Sequence, residues 1–407
     1  MWSANVAQQP LALQGSPRRQ LCRWDPPAFP ADLGLPADAD DTDPLAGSEW
    51  REQISLVRRL SAGAYGFVWC CLDRDSGSHI AIKFIARDKN TIDKNVEREI
   101  INHSMLMHPH IVEFKICFLT AKYLAIAMEY AEGQDLLRHV LCSACKLVNS
   151  KQGLLEDEAR WLYQQLILAV DYTHRMGVIN RDIKLENILL VYGEDRPFLK
   201  MCDFGYSINQ NHSLPVTAVG TPGYTAPEIL HNVKRRYDGK PADVWSTGVV
   251  LFAMLFCQYP FDRRQGDPPL HSREYQKLFI ERLKHADIVL PAHNQLTPLC
   301  KDLLRRIFHP SPEVRITILD IQKHPWFMQN LPAQMQNQDW NSQYIQHVDA
   351  KARADTIRQT VRAALDEPLI ATPAMRSKSK ASADSNDESG VWHDRGHFEA
   401  HTYHGQL

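Results

Sequence analysis

Asn180-Arg181-Asp182-Ile183-Lys184-Leu185-Glu186-Asn187-Ile188-Leu189-Leu190 sets a carboxylate, an ammonium and a carboxamide close together and then turns apolar. A short step further on, Lys200-Met201-Cys202-Asp203-Phe204-Gly205 supplies a second carboxylate, followed by a phenylalanine and a glycine. Phosphoryl transfer asks little covalent work of a protein. It needs a triphosphate gripped, its charge neutralised by a metal, and an accepting hydroxyl aimed in line. Asn187 and Asp203 are two hard oxygen donors, and completed by phosphates and water they suit Mg²⁺, with Mn²⁺ as the alternative ion.

Working outward, the chain offers a group for each remaining task, in one consistent order. Leu60-Ser61-Ala62-Gly63-Ala64-Tyr65-Gly66-Phe67-Val68 reads as a turn between two strands. Gly63 and Gly66 would let backbone N–H groups approach phosphates without a Cβ in the way. Alone this is also the signature of an ordinary hairpin, the more so because Ser61 stands where a first glycine is expected. Ala81-Ile82-Lys83 ends a strand-like run, and Glu99, in Arg98-Glu99-Ile100, falls on the next helical stretch, where it can pair with Lys83. Glu97 is the rival partner.

This ordered set resembles that of the protein kinases. The resemblance implies that Lys83 meets the α- and β-phosphates and that Glu99 holds it extended. It implies that Asp182 orients the substrate hydroxyl proton and that Lys184 steadies the transferring phosphate; lysine there is the serine/threonine form. A nucleotide site is implied at Ser61, Gly63, Gly66, Val68, Ala81, Lys83, Met128, Glu129 and Leu189, with Met128 as gatekeeper and Glu129–Gly133 as hinge. In Gly220-Thr221-Pro222-Gly223-Tyr224-Thr225-Ala226-Pro227-Glu228, Thr221 is expected beside Asp182 and Lys184, and Glu228 in a buried pair with Arg315. Asp243 is expected to anchor the catalytic loop from below. Because Arg181 precedes Asp182, phosphate is expected to order the activation segment, Arg181 facing an empty pocket until it arrives. Ser213, Thr217 and Thr221 are the candidate positions.

A finer likeness follows. Arg98-Glu99-Ile100-Ile101-Asn102-His103, Leu124-Ala125-Ile126-Ala127-Met128-Glu129-Tyr130, Cys202-Asp203-Phe204-Gly205-Tyr206-Ser207 and Tyr237-Asp238-Gly239-Lys240-Pro241-Ala242-Asp243-Val244-Trp245-Ser246 resemble the second subclass of plant and algal sucrose-nonfermenting-related kinases. That family acts in osmotic, hormone and nutrient-stress signalling on sites with a basic residue upstream. Asp135 matches an acidic position that can face such a residue; an exposed helix-start carboxylate is its plainer reading. The family places a helix after the catalytic domain, along the helix that carries Glu99. Three departures stand out: Asn180 replaces a histidine, Ser61 replaces a glycine, and no long acidic run occurs near the C-terminus.

The implied fold is α+β and bilobal, a small β-rich N-lobe over a larger helical C-lobe. The texture agrees. Phe67–Leu72, Ile80–Ile85 and Tyr123–Met128 have strand length and composition, Asp93–Met107 reads as helix, and Glu156–Met176 and Ala242–Phe256 as longer ones. The expected organisation is a proline-rich flexible extension (1–48), the kinase domain (49–327, lobes 49–130 and 131–327), and a regulatory segment (328–373). An amphipathic helix is expected at about 350–366, and residues 374–407 read as a disordered tail.

Net charge is −2 over 407 residues, so nothing global points to nucleic acid or an anionic membrane. The apolar run Val249–Cys257 is far shorter than the roughly 20 residues of a membrane helix. Nine scattered cysteines suit a reducing compartment, and Cys142 and Cys145 give only two of the four ligands of a structural zinc. Cytoplasm or nucleus, or both, is the expected location, with an Arg-rich transit peptide left open. Expected partners are protein substrates, an upstream kinase and a protein phosphatase, for a monomer. The competing reading is a pseudokinase scaffold, drawn from Asn180 and Ser61. A small-molecule kinase is disfavoured, because the segment around Thr221 resembles a peptide platform.

Overall fold

Alternation of buried side chains across residues 54–129 builds the first lobe. In the computed structural model, β1 (Ile54–Gly63), β2 (Gly66–Asp73), β3 (His79–Ala86), β4 (Phe114–Leu119) and β5 (Tyr123–Glu129) form one antiparallel sheet ordered β1-β2-β3-β5-β4. Residues 43–366 are described, with breaks at 64–65, 89–90, 147–152, 194–195, 210–220, 232–236, 270–271, 292–294, 338 and 346–348. Nearly all of the 1–48 extension and the whole 374–407 tail therefore lie outside the described residues.

The period of two divides the sheet cleanly. Ile80, Ile82 and Phe84 of β3 pack with Leu45, Cys71 and Phe118 on one face. Ile85, Leu124 and Ile126 pack on the other with Val96 and Ile100 of α1 (Lys94–Ser104). Asp93 caps α1, its carboxylate accepting the N–H groups of Asn95 and Val96. The helix stops at Ser104 rather than Met107, where the Met105 N–H turns back to Asn102 O and the chain runs on into Pro109.

The second lobe is mainly helical. It contains α2 (Leu136–Lys146), α3 (Glu156–Arg175), β6 (Val178–Ile179), β7 (Ile188–Tyr192), β8 (Pro197–Met201), β9 (Ile208–Asn209), α4 (Pro227–His231) and α5 (Gly239–Phe256). α6 (Arg273–Lys284), α7 (Pro298–Ile307), α8 (Ile318–Lys323) and α9 (Pro325–Met328) follow. α3 and α5 form its core, which explains why α5 is apolar nearly all round. α5 begins at Gly239, ahead of Ala242, because Asp238 caps it through Lys240 N–H and Pro241 is tolerated in a first turn.

β7 and β8 pair as a hairpin, and β6 pairs with β9. These two short ribbons bracket residues 180–187, between β6 and β7, and 202–207, between β8 and β9. The chain then returns to the first lobe as α10 (Ala350–Asp366), which buries Ile357, Val361 and Ala364 in the cluster shared by α1 and β5. Among the described residues no helix is long and apolar enough to cross a membrane.

Candidate active site

Register decides which side chains of the sheet share a face. Val68 lies opposite Lys83, and Ala81 opposite Met128. Ser61 lies opposite Val68. Because facing residues and residues two apart point the same way, Ser61, Val68, Ala81, Lys83 and Met128 share one face. Glu129 ends β5, and Leu189 lies on β7, bridged to Asp135. Gly63 and Gly66 close the β1–β2 turn as partners. Gly66 has φ +133°, and a Cβ there would meet Phe84 O at 2.1 Å, so only glycine fits.

Lys83 reaches α1. Its Nζ lies 2.6 Å from Glu99 Oε1, while Glu97 sits by Arg358 instead, at 3.5 Å. Burial works against the Lys83 ammonium, but the carboxylates of Glu99 and Asp203 outweigh it and hold its pKa above the usual lysine value.

The loop after β6 is pinned from beneath. Asp243 is wholly buried on α5 and accepts three hydrogen bonds: Asn180 N–H at 3.0 Å, Arg181 N–H at 2.9 Å and His174 Nε2 at 2.8 Å. Arg181 is thereby held at φ 68°, a conformation uncommon outside glycine. Asp203 shares it, at φ 63°.

On this support Asp182 collects its neighbours. Lys184 Nζ lies 2.8 Å from its Oδ2, Thr221 Oγ1 donates to Oδ1 at 3.1 Å, and Asn187 Nδ2 donates to Oδ2 at 3.0 Å. Lys184 also donates to Thr221 Oγ1, at 3.1 Å. Burial raises the Asp182 pKa, and Lys184 only partly offsets it. Asn180 spans the site: its Oδ1 accepts Asp182 N–H at 3.0 Å and its Nδ2 donates to Asp203 O at 3.2 Å.

Asn187 and Asp203 fit a hard cation. Both Nδ2 bonds of Asn187 run to Asp182, leaving its amide oxygen as the open group among the described residues. Asp203 is exposed, and among the described residues it commits only Oδ1, to Gly205 N–H at 2.9 Å. Among the described residues no cluster of His, Cys, Asp or Glu could cage a metal by itself. Phosphate and water oxygens would complete the set, as magnesium prefers.

Three of the expected residues have partners among the described residues, and two lie outside them. Thr221 is engaged between Asp182 and Lys184, so its hydroxyl is poorly placed as a regulatory position. Ser213 and Thr217 lie outside the described residues. Arg181 already has partners among the described residues: its Nε donates to Tyr206 O at 2.7 Å, and its guanidinium acts on the Tyr237 hydroxyl. Asp135 accepts Arg138 N–H at 2.9 Å at the start of α2 and pairs with the Arg138 side chain.

Two features lay beyond sequence reasoning. Arg98 lies near enough to Arg181 for the like charges to lower its pKa, after burial, and among the described residues its Nε has no partner. Lys200 of β8 grips both Glu129 oxygens, at 2.7 and 2.8 Å, tying the hinge to the second lobe. Neither contact has a local signal, since each joins residues far apart in the chain. The buried Glu228–Arg315 pair is bidentate, at 2.7 and 2.9 Å, with Arg315 stacked over Trp245.

Residues 54–327 match the family model for the protein kinase domain. Serine/threonine-protein kinase SAPK9 of Oryza sativa subsp. japonica is 43% identical over 299 residues, covering 73% of this chain and 78% of the relative. Serine/threonine-protein kinase SRK2D of Arabidopsis thaliana is 40% identical over 363 residues, 89% of this chain and 91% of that one. SRK2B of the same plant is 45% identical over 285 residues, 70% and 74% of the two chains. The chain belongs to the second subclass of sucrose-nonfermenting-related protein kinases. The kinase transfers the γ-phosphoryl group of ATP to serine and threonine hydroxyls of proteins, and its α+β bilobal architecture is that of its family. Nothing in these likenesses favours the scaffold reading, and Asn180 sits in this kinase bonded to both of the site's key acidic residues.

Proposed function

We propose that Asp182 takes up the hydroxyl proton of a protein serine or threonine while Lys184 and Lys83 steady the phosphate oxygens. The observation that carries this reading is the closed set Asp182–Lys184–Thr221–Asn187, lying beside the Lys83–Glu99 pair and Asp203. Asp182 presents a carboxylate whose raised pKa suits proton uptake. Asn187 and Asp203 would hold Mg²⁺, which when bound supplies positive charge against the triphosphate oxygens. Thr221 keeps Asp182 and Lys184 in register. The sheet face with Val68, Ala81 and Met128 would cover the adenine, and the Gly63–Gly66 turn the phosphates.

The substrate we favour carries a basic residue upstream of the acceptor. Asp135 contributes little to that choice, since Arg138 already occupies it. Phosphate on Ser213 or Thr217, placed by the kinase itself or by an upstream kinase and removed by a phosphatase, would meet the cations Arg181 and Arg98. The setting we favour is osmotic, hormone or nutrient-stress signalling in the cytoplasm or nucleus.

The test is transfer of labelled γ-phosphate to a basic serine peptide with Mg²⁺, for wild type and Asp203→Ala. We expect wild-type transfer and a loss of roughly 10²–10³-fold in kcat for the variant. Equal rates in the two proteins would refute the assignment of Asp203. Mass spectrometry of the same reaction should find phosphate on Ser213 or Thr217.

A further inference from the structure

Behind the metal-binding turn, α1 makes two contacts unrelated to the Lys83–Glu99 pair. Asn102 is only 3% exposed, and its Nδ2 donates to Ser207 Oγ at 3.0 Å. Ser207 is fully buried; its hydroxyl donates to Phe204 O at 2.6 Å and its N–H to the same oxygen at 2.9 Å. Amide, hydroxyl and carbonyl form one chain of hydrogen bonds from α1 into the turn Asp203–Ser207, and such chains reinforce themselves in a low dielectric. The next residue, His103, stacks on Phe204 with centroids 5.2 Å apart. Its own Nε2 is fixed by Val112 O at 2.7 Å.

Asn102 follows Glu99 by one turn, so one stretch of one helix carries both the partner of Lys83 and the contact to Ser207. Moving α1 outward, or turning Phe204 out, would take from the buried Asn102 amide and Ser207 hydroxyl the partners they have here. Buried groups without partners are penalised heavily, so intermediate arrangements are disfavoured.

We propose that Asn102 and Ser207 are positioning residues, a buried latch that makes the placing of Asp203 depend on the placing of α1. The latch then favours forming the metal–nucleotide carboxylate and the Lys83–Glu99 pair together. This rests on the reading of Asp203 as the metal carboxylate.

The experiment measures the Mg·ATP dissociation constant by calorimetry, with steady-state kinetics and melting temperature alongside. It uses the full chain as Asn102→Ala, Ser207→Ala, the double variant, and Asp203→Ala. Each single variant should weaken Mg·ATP binding and lower kcat about tenfold, with peptide KM within about twofold. The double variant should be no worse than the weaker single within about twofold, because both cut the same chain. Losses that multiply to about a hundredfold in the double variant would overturn the latch, as would singles that bind Mg·ATP like wild type. A lowered melting temperature with unchanged Mg·ATP affinity also overturns it, since that is a structural role alone. Ser207→Ala removes one oxygen and adds nothing, so it keeps the test open if Asn102→Ala does not fold. Unaltered binding in Asp203→Ala would sink the metal reading itself; full loss there with intact Asn102 and Ser207 variants sinks only the latch.

Discussion

Asn180 stands where related kinases carry a histidine, and its carboxamide offers what a neutral imidazole would: one donor and one acceptor. The donor goes to Asp203 O and the acceptor to Asp182 N–H, so the backbones of both acidic residues are held by one side chain. Asn180→Ala removes both bonds from a residue only 2% exposed. Stranded groups of that kind cost about 1–3 kcal/mol, and kcat/KM should fall roughly tenfold or more. Asn180→His should stay within about fivefold of wild type by peptide phosphorylation. A histidine variant many times faster than wild type would mean that Asn180 cripples the site. The residues proposed to do the chemistry stand out in the sequence because their order and spacing are sparse and characteristic. Their holders do not. Asn102 and Ser207 are common polar residues whose partnership exists only once α1 has packed over β9, and Lys200 meets Glu129 only across two lobes.

At the scale of elements, α10 ties the end of the chain to the helix that carries Glu99. Ile357 and Val361 are buried against α1 and β5. Arg87 donates to the carbonyls of Ala363 and Ala364, at 3.2 and 3.1 Å, and Arg353 donates to Ser104 O at 2.6 Å, at the end of α1. α10 thus grips α1 at its last turn and the sheet at its edge. The spacing of Ala354, Ile357, Val361 and Ala364 marked one apolar face; it could not say what covers that face. That α1 is the neighbour was an expectation from family resemblance alone. We expect Ile357→Asp with Val361→Asp to undock α10, since two unpaired buried carboxylates cost several kcal/mol. Phosphotransfer should fall about tenfold, with faster proteolysis between residues 328 and 350, as α1 loses its brace. Activity equal to wild type would show that α10 does not support α1.

Across the whole molecule, the least forgiving feature is a set of buried histidines between the lobes. His108 stacks on Tyr172, lies against Trp340 and Tyr344, and bonds Asn341 Oδ1 at 3.1 Å. Asn341 in turn donates to Asp171 at 2.7 Å, so the chain beyond α9 is strapped to α3 at this point. His110 bonds Leu199 O at 3.2 Å, and its Nε2 has no partner among the described residues. Burial lowers the pKa of His110 to about 3, with Lys200 adding to the effect; burial, then His110, holds His108 well below the usual value. Both are neutral in the folded state at pH 7. The unfolded chain takes up their protons near pH 6.5 and the folded chain only much lower, so stability is complete above about 6.5 and drains away as pH falls. Each histidine contributes a slope of about 1.4 kcal/mol per pH unit across that window. Denaturation by urea at pH 7, 6 and 5 should therefore show a steepening loss of stability. In His110→Phe, which cannot titrate and strands no ring nitrogen, the loss between pH 6 and 5 should shrink by about 1 kcal/mol. An unchanged loss in that variant would place the acid sensitivity elsewhere, because His110 would then have to be protonated equally in both states, which its burial without a partner for Nε2 opposes.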